Sequence, residues 1–280
     1  MDIIQAIAIA IVEGLTEFLP VSSTGHMIIA EKVLGVAPDA FVKAFTVIIQ
    51  FGAILSVVCL YWKRFFHLNE VPNGVKGIKA FLIKYDFYWK LLIAFIPAAI
   101  LGFAFSDLID DLLESVITVA IMLVLGGVLM LFVDKWFNKE DNATKVSEPK
   151  AFKIGLYQCI AMIPGVSRSM ATIVGGMQQG LTRKAAAEFS FFLAVPTMFA
   201  ATAYKLLKLV MDPTSRALLA SNWDVLIIGN IVAFVVAILA IKFFISFLTK
   251  YGFKAFGYYR IIVGGAIIIM TLCGVSMEIM

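Results

Sequence analysis

Charge is scarce in this chain: only 15% of its 280 residues are Asp, Glu, Lys or Arg, against 61% hydrophobic residues. A soluble domain cannot hide that much apolar surface in a single core, so the natural solvent is a bilayer. Cysteine is nearly absent. Cys59, Cys159 and Cys273 each sit in apolar stretches without metal-ligand spacing, which argues against a disulfide framework and against a zinc site. Histidine is rarer still, with only His26 and His67. The first residues lack a basic n-region, and the apolar run from Ile3 to Val12 meets Glu13 rather than a small-residue cleavage site, so no signal peptide is expected. A net charge of +4 gives no reason to expect a nucleic-acid partner, and its distribution between loops is the informative part.

What the chain has in abundance is long apolar runs. Six approach the roughly 20 residues a helix needs to cross about 30 Å of hydrocarbon: about Ala44 to Trp62, Leu91 to Phe105, Val116 to Val133, Phe189 to Leu209, Val225 to Phe247 and Tyr258 to Val275. Two further apolar regions, about Ile3 to Leu34 and Ile154 to Leu181, are interrupted by Pro20 and Pro164, each followed by Ser, Thr and Gly. A break exposes backbone groups that hydrocarbon cannot satisfy, so it survives where protein covers it or where it lines a wet cavity. The expected fold is therefore all-α and polytopic, with six transmembrane helices plus two re-entrant helix pairs.

Lys and Arg set the expected orientation. Segment 63–90 holds Lys63, Arg64, Lys76, Lys79, Lys84 and Lys90, and segment 135–153 holds Lys135, Lys139, Lys145, Lys150 and Lys153; both should be cytoplasmic. Segment 106–115 has no basic residue and four acids, Asp107, Asp110, Asp111 and Glu114, which places it outside. Segment 205–224 falls outside on the same path despite Lys205, Lys208 and Arg216.

The two halves correspond. A shift of 144 residues lays Pro20 on Pro164, Ser23 on Ser167, Phe45 on Phe189 and Gly52 on Pro196, and a shift of 138 lays Gly126-Gly127 on Gly264-Gly265. Each half, 1–134 and 151–276, reads as one re-entrant pair followed by three spans. Three is odd, so the second half enters from the opposite side, giving an inverted-topology repeat within a single membrane domain. The glycine pairs permit close helix packing, within one chain or across a homodimer.

Chemistry concentrates in the breaks. The first reads EGLTEFLPVSSTGH, Glu13 to His26. Glu13 and Glu17 are four apart and share a helix face; at membrane depth they want a proton, a metal ion or an arginine between them, unless they reach headgroup water. Ser22, Ser23 and Thr24 offer three hydroxyls where a helix cap needs one, and the helix start they create presents free N–H groups to an anion. The second break reads IPGVSRSMATI, Ile163 to Ile173. Arg168 brings an always-ionised fork between Ser167 and Ser169, for permanent pairing with Glu13 or Glu17 or for clamping a phosphate. If the breaks meet, hydroxyl nucleophile, carboxylates, imidazole and arginine form a phosphoryl-transfer site. Lys242 and Arg260 read as snorkelling anchors, and Tyr61-Trp62 and Tyr258-Tyr259 as parts of the aromatic belt.

EGLTEFLPVSSTGH together with PGVSRSMATI and the AAEFSFFLAVP run from Ala186 to Pro196 resembles the bacterial undecaprenyl-diphosphate phosphatases of the BacA (UppP) type, over essentially the whole chain. Val166 and Met170 stand where relatives often have Thr and Gly. The resemblance implies removal of the terminal phosphate of undecaprenyl diphosphate, a polyprenyl diphosphate lipid, regenerating the carrier for wall polymers and conferring bacitracin resistance. It also implies a divalent cation (Mg2+ or Ca2+) and a bacterial cytoplasmic-membrane location with the site opening to the extracytoplasmic side. By motif position it marks Glu13, Glu17, Ser22, Ser23, Thr24, His26, Ser167 and Arg168 as the functional set.

Within that set Ser23 is the expected nucleophile, with His26 or Glu17 as its base, and direct attack by an activated water is the alternative. Glu13 and Glu17 would hold the metal; Arg168, Ser22, Thr24 and Ser167 would bind the phosphate. A transporter or lipid-phosphate flippase is the rival reading, since broken helices in inverted repeats are also transporter architecture. The Ser/Thr/His cluster beside paired carboxylates favours catalysis.

Overall fold

Caps and breakers in the sequence set the helix boundaries of the computed structural model, which describes every residue except 38, 114, 138–142 and 275–280. Glu114, Lys139 and Val275, named above, lie outside the described residues. The first helix, α1 (Ile3–Thr16), opens with a reciprocal cap in which Asp2 accepts from the Gln5 N–H and the Gln5 side chain accepts from the Asp2 N–H, each at 2.8 Å. It stops before Pro20, and α2 (Ser23–Val33) follows the break. The second broken region gives α9 (Glu148–Ile160) and α10 (Arg168–Gln178) around Pro164. At 1.5 Å per residue these helices of 14, 11, 13 and 11 residues are about 16 to 21 Å long, too short to cross the hydrocarbon singly. Each pair packs on itself, α1 on α2 and α9 on α10.

Six helices are long and apolar enough to span: α3 (Ala40–Leu60), α6 (Asp86–Ala104), α8 (Val116–Phe137), α11 (Arg183–Met211), α13 (Trp223–Tyr251) and α14 (Lys254–Leu272). They fall on the six expected stretches. Short helices α4 (Trp62–Phe66), α5 (Gly77–Lys84), α7 (Ser106–Leu113) and α12 (Pro213–Ser221) occupy the connections. Among the described residues the only β pairing is one isolated bridge between Ala143 and Leu181. Helix α11 starts six residues earlier than its apolar run, because Thr182 caps it by accepting from the Ala185 N–H at 3.1 Å.

The halves interlock. Helix α1 packs against α13 and α9 against α6, while α3 meets α11 and α8 lies along α14. The α8–α14 seam is close enough that a Cβ on Gly127 would sit 2.8 Å from the Gly257 carbonyl, and one on Gly264 would sit 2.8 Å from the Ala120 carbonyl. Three of the four paired glycines thus serve packing inside the chain; Gly265 faces open space. The largest apolar cluster, with Phe18, Phe191, Phe244 and Phe253 fully buried, wraps the region where the two breaks meet.

Candidate active site

Both breaks end in the same backbone device. The residue before α2 is Ser22, at φ 70°, and the residue before α10 is Ser167, at φ 75°; among the described residues no other non-glycine residue has positive φ. Such a conformation costs an L-residue about 1–3 kcal/mol and persists only where the surroundings impose it. Here the breaks are tied to each other. Ser169 Oγ donates to the Leu19 carbonyl at 2.7 Å, so the Ser167 hydroxyl, 3.0 Å away, must be the donor to Ser169 while it accepts from the Met170 N–H as the α10 cap.

The stronger tie is Arg260, which is fully buried. Its Nη1 donates to the Pro20 and Val166 carbonyls at 3.1 Å each, and Nη2 to Gly165 at 2.8 Å and Met122 at 3.0 Å; Nε donates to Leu123 at 3.2 Å. The snorkelling role expected for Arg260 is therefore wrong: the side chain turns inward to backbone carbonyls instead of outward to water. Lys242 is exposed, as an anchor would be.

With the breaks held together, Ser23 at the start of α2 lies beside Glu17, the residue that ends α1. Ser23 Oγ donates to Glu17 Oε2 at 2.8 Å. Arg168, the first residue of α10, reaches the other oxygen of the same carboxylate, Nη2 to Oε1 at 3.3 Å, and its Nη1 donates to the Ser190 carbonyl at 3.1 Å. Ser190 is itself fixed by a 2.6 Å hydroxyl contact with Thr172. The Arg168 guanidinium lies 5.9 Å over the Phe18 ring. One carboxylate thus bridges the hydroxyl of one break and the arginine of the other.

Two polar atoms in this cluster are buried without a partner, Glu13 Oε1 and Arg168 Nε. Glu13 is 1% exposed and near enough to interact electrostatically with Glu17 and Arg168. Buried orphan groups of opposite sign suit an anionic ligand with a cation beside it. Thr24 is half-buried at the second position of α2, and Ser22 is buried with no capping bond from its side chain.

His26 points elsewhere. Its Nδ1 lies 2.8 Å from the Ser22 carbonyl and its Nε2 2.7 Å from the Tyr259 hydroxyl. A carbonyl can only accept, so Nδ1 carries the proton and Nε2 accepts from Tyr259. Tyr259 is thus more than the interfacial aromatic its position suggested; it stacks on the imidazole at 5.5 Å and donates to the Nε2 that the Ser22 carbonyl leaves unprotonated.

The sequence profile described as "Bacitracin resistance protein BacA" matches residues 6–266. The chain belongs to this family. Among BacA relatives, one from Porphyromonas gingivalis named undecaprenyl-diphosphatase is 61% identical over 283 residues, covering 100% of both chains. Another of the same name from Flavobacterium psychrophilum is 59% identical, covering 94% of each, and one from Enterococcus faecalis is 42% identical over 97% of this chain and 98% of its own. The resemblance read from the two motifs is borne out at family level. What the motifs did not reveal is the part of this candidate site supplied from outside them by Tyr259 and Arg260; Ser190 lies inside the AAEFSFFLAVP run but was not singled out there. Only Arg260 carried a signal, an arginine two turns into an apolar helix, where charge is costly.

Proposed function

We infer that this chain is an undecaprenyl-diphosphate phosphatase, which hydrolyses the lipid diphosphate to undecaprenyl phosphate and inorganic phosphate and so recycles the carrier for cell-wall synthesis. The observation that carries this is identity of 61% along the entire length to a relative of that name. Membership in a family described by bacitracin resistance agrees with it, and the protein is multi-pass with six membrane-length helices.

The Ser23–Glu17–Arg168 chain supports a mechanism. Ser23 Oγ attacks the terminal phosphorus while Glu17 Oε2, already hydrogen-bonded to it, takes the proton. The bond to the bridging oxygen breaks and undecaprenyl phosphate leaves with the electron pair. Glu17 then releases that proton to solvent, and as water attacks the phosphoserine it takes the water's proton and passes it to Ser23 Oγ as the Oγ–P bond breaks, which frees inorganic phosphate and restores the starting hydroxyl and carboxylate. Arg168 spends one N–H on Glu17 and one on Ser190, which leaves Nε–H and one N–H on each Nη for phosphate oxygens. His26, engaged by Ser22 and Tyr259, supports the turn rather than the proton transfer. The N–H groups opening α2, with Thr24 Oγ1, add donors for the developing charge.

Glu13 and Glu17 fit a divalent cation, since Glu13 Oε1 is a buried carboxylate oxygen without a partner. Among the described residues no third His, Cys, Asp or Glu joins them, so Mg2+ or Ca2+ here would complete its shell with substrate oxygens and water. Bound there, the ion would neutralise diphosphate charge.

Two architectural readings accompany the chemistry. The matching order of helices in 1–134 and 151–276, the equal left-handed serines and the reciprocal packing of α1 on α13 and α9 on α6 support an inverted repeat. The loop charges support the expected orientation of the spans, and family membership supports a site opening to the extracytoplasmic side of the cytoplasmic membrane. A homodimer is not required, because every site residue comes from one chain.

Phosphate release by purified protein in detergent tests the activity, because transport has no meaning there. Ser23→Ala tests the nucleophile: turnover should vanish with lipid binding retained, and protein quenched during turnover should carry a phosphate on a peptide spanning Pro20 to Lys32. Substantial turnover by Ser23→Ala would pass the role to an activated water.

A further inference from the structure

Arg260 takes no part in the mechanism above, yet its surroundings are the most specific in the molecule. All five guanidinium N–H groups are used, and all five partners are main-chain carbonyls. Among the described residues no carboxylate pairs with it; the three ion pairs belong to other residues. A buried cation without a counter-ion is what a hydrocarbon setting penalises most. A neutral amide would avoid that penalty but brings only two N–H donors, so serving all five carbonyls from one side chain takes the guanidinium.

The choice of carbonyls shows what the side chain does. Pro20 lies two residues before the left-handed Ser22, and Gly165 and Val166 lie immediately before the left-handed Ser167. A peptide plane whose carbonyl faces the guanidinium has its N–H facing away from it. Arg260 therefore fixes the planes that carry the N–H groups of Val21, Val166 and Ser167, and with them the approach of the chain to both strained serines before α2 and α10. The remaining partners, Met122 and Leu123, anchor it to α8. It places a buried positive charge directly behind both breaks, within hydrogen-bond distance of the Pro20, Gly165 and Val166 carbonyls.

We propose that Arg260 is the positioning residue of this phosphatase: it sets both broken loops at once in the conformation that receives the phosphoryl group, and supplies a buried positive charge behind them. The proposal rests on the reading of the two breaks as the phosphate-binding loops.

The test compares Arg260→Gln, Arg260→Lys and Gly126→Ala in purified, monodisperse protein, measuring kcat and KM for phosphate release from undecaprenyl diphosphate. Arg260→Gln should lose about 100-fold or more in kcat with KM within about threefold of wild type, the scale of removing a preorganised charge-stabilising group. Arg260→Lys should regain about tenfold, having the charge but fewer donors. Gly126→Ala leaves Arg260 intact but places a methyl inside contact distance of Nη2, and should lose about tenfold in kcat at unchanged KM. A residue that merely holds the fold would give less folded protein, with kcat per folded molecule unchanged and no gain from lysine. Wild-type kcat in Gly126→Ala and in any Arg260→Gln that folds would overturn the proposal; if Arg260→Gln does not fold, Gly126→Ala decides. Ser23→Ala run in parallel separates the failures: its full activity would remove the reading of the site, whereas an inactive Ser23→Ala beside wild-type kcat in Gly126→Ala and in any Arg260→Gln that folds removes the role of Arg260 alone.

Discussion

Replacing Arg168 with lysine keeps the positive charge at the start of α10 and removes the planar fork. The guanidinium has five N–H groups, of which one serves Glu17 at 3.3 Å and one the Ser190 carbonyl at 3.1 Å, leaving three for a phosphoryl group. An ammonium has three in all. If it holds the same two protein partners, one remains, so the transition state loses two charge-assisted donors. Each is worth about 1.5–3 kcal/mol, and partial compensation by a shift of the lysine leaves a net loss of about 3 kcal/mol, which is about 100-fold in rate. The assay is phosphate release in detergent at saturating lipid diphosphate, with the thermal midpoint followed alongside. Arg168→Lys should stay folded, because the ion pair with Glu17 survives in kind, and should lose rate in kcat more than in KM. Turnover within about threefold of wild type would remove Arg168 from the phosphate clamp and leave it as the permanent counter-ion of Glu17.

Other consequences can be measured directly. Tyr259→Phe removes the hydroxyl that donates to His26 Nε2 and should lower kcat about fivefold, the scale of one hydrogen bond; an unchanged rate would make that contact incidental. Glu13→Gln should raise the concentration of Mg2+ or Ca2+ needed for half-maximal activity at least about tenfold, since it removes a charged hard ligand, and an unaltered metal titration would place the ion elsewhere. In a background lacking the three cysteines, Asn73→Cys should label only from the cytoplasm and Thr214→Cys only from outside. Labelling of both from one side would rule out the inverted repeat, because these loops hold the same place in their halves.

Hydropathy is a local property, and so the six spans could be read from the sequence almost helix for helix. The two breaks were legible for a related reason: Pro20 and Pro164, each followed by hydroxyl residues, contradict the apolar runs around them. That Arg168 meets an acid of the first break was legible too, but which of Glu13 and Glu17 was not, because both share one helix face and only the folded break brings Glu17 into reach. The roles of Arg260 and Tyr259 were not legible. Their contacts, with Pro20 and His26, cross well over two hundred residues, and a basic or aromatic residue within two turns of a span end looks the same in sequence whether it turns to the interface or inward. Which of Glu17 and His26 lies against the Ser23 hydroxyl was equally invisible, because it depends on which way the imidazole faces. The early start of α11 at Arg183 shows a smaller version of the same limit, a cap at Thr182 carrying the helix beyond its hydrophobic stretch.

The left-handed serines have a last consequence. Where this chain needs only a turn with positive φ it uses glycine, as at Gly35, Gly74 and Gly77, with φ of 63°, 90° and 67° and open space around each. At Ser22 and Ser167 it accepts about 1–3 kcal/mol of strain that glycine would relieve. Ser167 has a visible return, since its hydroxyl caps α10. The Ser22 hydroxyl caps nothing, so its return must come from a guest. Ser22→Gly should therefore leave the protein as stable as before, or more so, and worse at holding the lipid diphosphate, parting stability from binding at a single side chain.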